Sequence, residues 1–155
     1  MYNLVKRQAE VEILPMAEAE KLGVLTYSPL AAGLLSGKYG KDKRPPSGRL
    51  VENKIYQVRY GEDWVFEVAE KFNEFARSHG YNPVSLAIAW VGSHPAVTAP
   101  IIGARNVAQL KEAIAATEIE MTEELRREIS GLSPEPPPAT DRSEEKTDTH
   151  FPIRR

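Results

Sequence analysis

Two short apolar runs, Val24-Leu25-Thr26-Tyr27 and residues 97–102, are separated by helical sequence, and this arrangement restricts the fold more than any other feature. Both are rich in β-branched or aromatic residues. Gly23 and Ser28-Pro29 bound the first, and Pro100 interrupts the second. Strands linked through intervening helices run in the same direction, so they are expected to pair in parallel within an α/β sheet. The opening Tyr2-Asn3-Leu4 reads as the end of a further strand. A parallel sheet this narrow leaves its edges open and one face poorly covered, which sets the expectation of a missing partner segment.

The helices follow from apolar spacing and end signals. Val11, Ile13, Leu14 and Ala17 recur at helical intervals. With Pro15 among them, they predict an irregular turn leading into a helix over 15–21, closed by Leu22-Gly23. Val65, Val68, Phe72 and Phe75 predict a helix over Asp63–Ser78 that Gly80 stops. Asn82-Pro83 is a cap followed by a first-turn proline and opens another helix through Trp90. Asn106 is expected to cap a helix reaching Ala116. Thr122 is expected to cap one reaching Ser130, with Glu123 and Glu124 in its acidic first turn. Residues 37–63 are polar, contain Pro45-Pro46 and read as one long loop. From Pro134 onward, prolines and charges predict an extended or disordered tail over 134–155, leaving 1–133 as the folded part.

Composition excludes several functions. At 155 residues, 41% hydrophobic and 27% charged, the chain suits an ordinary soluble domain. A net charge of −2 offers no basic field for a nucleic acid, and no apolar run approaches a bilayer span. The first residues lack a secretory pattern, and a cytoplasmic location follows by default. Without cysteine there are no disulfides, thiolate metal sites or cysteine nucleophiles, and His79, His94 and His150 are too scattered to suggest a metal.

Two segments carry candidate chemistry. In the first, Tyr27 ends a strand and is followed by Ser28-Pro29-Leu30-Ala31-Ala32-Gly33, then by Lys38. An aromatic ring there can stack on a flat ligand ring, and small residues let backbone amides approach phosphate oxygens. In the second, a strand runs through Gly103 and Arg105 to the Asn106 cap, with Gln109 and Glu112 on the helix beyond. Helix-start amides beside an arginine make an anion site. Taken singly, each also reads as a strand end and a turn. The G-x-G-x-x-G of dinucleotide-binding βαβ folds is absent.

In this order the two segments resemble the aldo-keto reductase family. Tyr2-Asn3-Leu4, the run from Tyr27 to Tyr39, Pro83 to Trp90, and Thr98 to Gln109 carry the likeness, which extends over roughly residues 2 to 133. The resemblance implies a partial (β/α)8 TIM barrel, made of its last two to three strands with their helices. It further implies NADP(H) as cofactor and a small aldehyde or ketone as substrate. Tyr27 would stack on the nicotinamide, Ser28, Pro29, Leu30 and Ala31 would line the pyrophosphate, and Lys38 would reach the same region. Gly103, Arg105, Gln109 and Glu112 would surround the adenosine, with Arg105 favouring NADP over NAD. Ala113 departs from the family's usual asparagine and removes one adenine contact.

The resemblance also implies an absence. The family's proton-donating tyrosine and its supporting aspartate, lysine and histidine belong to the first half of the barrel. No catalytic residue is therefore assigned, and Tyr56, Tyr60 and Tyr81 are not promoted to that role. The expectation is a fragment that is inactive alone, read first as a truncated product, with a split-enzyme half and a self-pairing fragment as alternatives. Open barrel edges would favour self-association. A non-catalytic NADP-binding or interaction module is the rival reading. Trp64 and Trp90 are expected to pack, and His94 is expected to be structural or solvated, away from the reaction face.

Overall fold

The longest helix forms over the apolar stripe that the sequence shows from Val65 to Phe75. The structure, a computed structural model, describes residues 1–137. α1 (Ile13–Ala19) follows a 3-10 turn, and β1 (Leu25–Thr26) leads into an irregular turn at Ala31–Ser36. Next come α2 (Arg49–Glu52), α3 (Lys54–Tyr60), α4 (Asp63–Ser78) and α5 (Pro83–Gly92). β2 (Ala99–Pro100), α6 (Val107–Ile114) and α7 (Glu123–Ser130) complete the described elements. The expected tail lies largely outside the described residues, and 134–137 carry no helix or strand.

The strands pair in parallel, with Leu25 opposite Ala99 and Thr26 opposite Pro100, so the α/β reading holds. They are shorter than the apolar runs suggest. Pro100 has no amide to donate, and the Thr98 hydroxyl takes the Val24 N–H at 2.9 Å, where a ladder carbonyl would otherwise sit. Backbone bonds nevertheless run from Val24 to Ile101, with Thr98 N–H donating to Val24 and Ile101 N–H to Thr26. Tyr2 forms no regular strand, although its N–H donates to the Tyr27 carbonyl at 3.3 Å.

The core lies behind the sheet. α4 turns Val65, Val68, Ala69, Phe72 and Ala76 inward from one stripe. α5 is apolar on nearly all sides because α4, α6, β2 and the Ala31–Ser36 turn all pack on it. Asn82 caps it as expected, accepting from the Val84 N–H at 2.8 Å. Trp90 is buried and donates from Nε1 to Ser130 Oγ at 3.1 Å, so packing is its role. Trp64 is partly buried against the same core.

Two expectations need correction. Residues 37–63 are not one loop: α2 and α3 lie within them, and the Asn53 side chain accepts from the Ile55 N–H at 3.0 Å to start α3. Only Leu50 and Tyr60 of these helices are buried, so no apolar stripe marks them in the sequence. α1 begins before Pro15 and ends earlier than residue 21. Lys21, not Gly23, takes the left-handed closing position with φ 55°, while Leu22 N–H reaches back to the Ala17 carbonyl at 2.8 Å.

A polar network fastens the N-terminal segment to α7. Arg126 donates to Tyr2 Oη at 3.1 Å, to Ser93 Oγ at 2.6 Å and to the Trp90 carbonyl. Tyr2 Oη donates to Glu10, and Arg7 pairs with Glu10 at 2.8 Å. Burial and the hydrogen bond to Glu10 together push the Tyr2 hydroxyl far up from its ordinary pKa. One face of the sheet remains uncovered: Leu25 is 64% exposed and Ile101 54%.

Candidate functional site

The turn after β1 is held in a conformation that ordinary residues avoid. Ser28, Ala31 and Ala32 all have positive φ (65°, 48° and 60°), followed by Gly33 at 94°. Such a conformation costs about 1–2 kcal/mol per non-glycine residue, so surrounding contacts must impose it. Asn3 supplies one of them: its buried side chain donates from Nδ2 to the Ser28 carbonyl at 2.9 Å and accepts the Val5 N–H at 3.1 Å. The Ser28 carbonyl also receives the Ala31 N–H at 3.0 Å, and Ser36 Oγ donates to the Gly33 carbonyl at 2.6 Å. Leu30, near the right-handed region, precedes the positive φ of Ala31. The Ala31 and Gly33 N–H groups close the turn on the Ser28 and Leu30 carbonyls, at 3.0 and 2.9 Å.

The second loop is ordered by a reciprocal cap. Asn106 Oδ1 accepts the Gln109 N–H at 2.9 Å, and Gln109 Oε1 accepts the Arg105 N–H at 3.0 Å. The Arg105 guanidinium is exposed and has no carboxylate partner among the described residues. α6 is fixed to α5 where Ser85 Oγ donates to the Glu112 carbonyl at 2.7 Å.

Both loops open onto one cleft of about 750 Å³, within the range of small-molecule sites. Tyr27, Ser28, Pro29, Leu30 and Lys38 line it together with Gly103, Arg105, Gln109 and Glu112. Tyr27 is 49% exposed where it lines the cleft. Ala31 does not line the cleft. It is fully buried and supports the turn from beneath. His94 lies elsewhere, stacked edge-on against Tyr2 at 5.7 Å, and burial lowers its pKa.

Sequence reasoning missed a third wall. Arg49, Tyr56 and Arg59 from α2 and α3 also line the cleft. The two guanidiniums lie 5.8 and 5.3 Å from the Tyr56 ring centroid. The Asn53 cap and the three-residue spacing of Tyr56 and Arg59 were the available signals. Lys38 and Arg105 bring positive charge to the lining as well, and Glu112 is its one acidic residue among those described, so the cleft suits anionic ligands. No helix among the described residues is long and apolar enough to cross a membrane.

Comparison with known proteins follows the same outline. The model of the aldo/keto reductase family matches residues 1–133. The oxidoreductase YrpG of Bacillus subtilis is 37% identical over 139 residues, covering 87% of this chain and 39% of that protein. Protein tas of Escherichia coli is 30% identical over 133 residues, covering 84% of this chain and 38% of its own length. A probable voltage-gated potassium channel β subunit of Arabidopsis thaliana is 36% identical over 121 residues, covering 76% and 37%. The chain thus spans about two fifths of the length of these curated relatives.

Proposed function

The chain belongs to the aldo/keto reductase family, and from that premise we propose that its cleft holds NADP(H) as the cofactor-binding part of a carbonyl oxidoreductase built on a (β/α)8 barrel. The observation that carries the reading is the opening of the Tyr27 and Arg105 loops onto one basic cleft.

The residues suit the group they would hold. Tyr27, exposed at the cleft, would offer its ring to the nicotinamide. The Ser28–Leu30 turn would line the pyrophosphate, with Lys38 adding positive charge from the same cleft lining. Arg105, without a carboxylate partner among the described residues, is suited to the 2′-phosphate as a bidentate donor. Gln109 has its side-chain oxygen committed to the Arg105 N–H, which leaves its amide hydrogens for the adenosine.

When bound, the nicotinamide supplies or accepts the hydride. This chain's own residues bind, orient and electrostatically balance the dinucleotide. General acid catalysis needs a donor within hydrogen-bond reach of the carbonyl oxygen. In this proposal that donor comes from chain outside residues 1–155, in keeping with the two-fifths coverage of the relatives. The short parallel pair is then part of the last two to three barrel strands, and the exposed face bearing Leu25 and Ile101 points toward the barrel interior.

The test is an equilibrium titration of the 155-residue chain with NADPH and NADH. Saturable NADPH binding with weaker NADH binding supports the reading. Equal affinities contradict the role given to Arg105.

A further inference from the structure

α3 brings to the cleft a cation that the cofactor reading leaves unused. Arg59 is half-buried and lines the cleft, and no carboxylate among the described residues pairs with it. Its guanidinium lies 5.3 Å from the ring centroid of Tyr56, which is itself anchored against the core. The ring limits the directions in which the guanidinium fork can point.

Arg59 belongs to the Tyr27 end of the cleft. The next residue, Tyr60, is buried, and its hydroxyl lies 3.4 Å from Asn3 Nδ2, the group that also donates to the Ser28 carbonyl. Tyr2 N–H bonds to the Tyr27 carbonyl, and Met1, immediately before it, receives the Tyr60 hydroxyl at its sulfur at 3.4 Å. These contacts join the end of α3 to the end of β1, whereas Glu112 stands across the cleft on α6 beside Asn82. An anionic group near Arg59 therefore meets a second guanidinium, Arg49, on the same ring, and no carboxylate on that wall among the described residues.

The phosphates of the dinucleotide are already matched to the Ser28–Leu30 turn, Lys38 and Arg105. We propose that Arg59, oriented by Tyr56, selects carbonyl substrates that carry a carboxylate, pairing with that group while the carbonyl lies over the nicotinamide. This rests on the NADP(H) reading and adds a substrate class to it. Guanidinium and carboxylate match as a planar two-bond pair, which a neutral isostere cannot form.

The test uses the 155-residue chain saturated with NADP⁺ and titrated with 4-carboxybenzaldehyde or its uncharged methyl ester. The acid is expected to bind at least about tenfold more tightly. Arg59→Gln removes that preference, Arg59→Lys keeps part of it, and neither changes NADP⁺ affinity by more than about twofold, which also reports an intact fold. Equal binding of acid and ester, or an undiminished preference in Arg59→Gln, overturns the inference alone. A large loss of NADP⁺ affinity in Arg59→Gln assigns the residue to the cofactor and overturns it as well. Absence of NADP⁺ binding by the parent chain overturns the underlying reading, and the inference with it.

Discussion

The side-chain amide of Asn3 donates to the carbonyl of Ser28 at 2.9 Å, fastening the first buried segment to the turn that lines the cleft. Asn3 is fully buried and also accepts the Val5 N–H, so its replacement strips the Ser28 carbonyl of one of its two donors and leaves the Val5 N–H unpaired. Asn3→Leu is expected to lower stability by about 3 kcal/mol in urea unfolding and to weaken NADPH binding. Tyr60→Phe loses only longer contacts and should cost less than about 1 kcal/mol. A neutral Asn3→Leu would contradict the anchoring role.

Backbone strain in the same turn gives a pair of opposite expectations. Ala32 has φ 60°, which glycine adopts freely, so Ala32→Gly should raise stability by about 0.5–1 kcal/mol despite glycine's entropy. Gly37 has φ 81°, and an added Cβ would meet Arg77 Nη2 at 2.7 Å. Gly37→Ala should therefore lower stability by about 1–2 kcal/mol. Unfolding curves of the two variants check both signs.

Stability should fall with acid in two windows. Burial of His94, aided by nearby Arg126, lowers its pKa, so the unfolded chain binds the proton more readily. That contribution is complete above the ordinary histidine range and is lost as pH falls below about 6.5. For Glu10, burial acts to raise the carboxyl pKa. Hydrogen bonds from Arg7 and Tyr2 and the charges of Arg7 and Arg126 outweigh it, and the net shift is downward. Its contribution is present above the ordinary carboxylate range and declines from about pH 5 downward. Urea midpoints against pH should lose the upper step in His94→Gln and the lower one in Glu10→Gln. A parent-like profile in both variants would contradict this assignment.

The parts of the fold that were legible in the sequence are those where local signals and burial agree. α4 combines an apolar stripe with glycine beyond its end, and Asn82 and Asn106 cap helices where a single side chain satisfies the first amides. α2 and α3 were not legible because they bury Leu50 and Tyr60 while leaving Ile55 and Val58 exposed, so no periodic stripe appears. For the same reason the cleft wall formed by Arg49, Tyr56 and Arg59 went unseen, although both loops of the proposed cofactor site were identified. Ala31 was expected at the cleft surface. It packs into the core instead, and nothing in the residue type distinguishes it from Ala32, which does line the cleft.

The central claim is that the Tyr27 and Arg105 loops grip opposite ends of one dinucleotide. Titrating the parent chain, Tyr27→Ala and Arg105→Ala with NADPH and with adenosine 2′,5′-bisphosphate tests it directly. Both substitutions are predicted to weaken NADPH binding, by about tenfold for Arg105→Ala, whereas the bisphosphate, lacking the nicotinamide, should respond to Arg105→Ala alone. The account is contradicted if Tyr27→Ala weakens the bisphosphate as much as NADPH, or if either substitution leaves NADPH affinity unchanged.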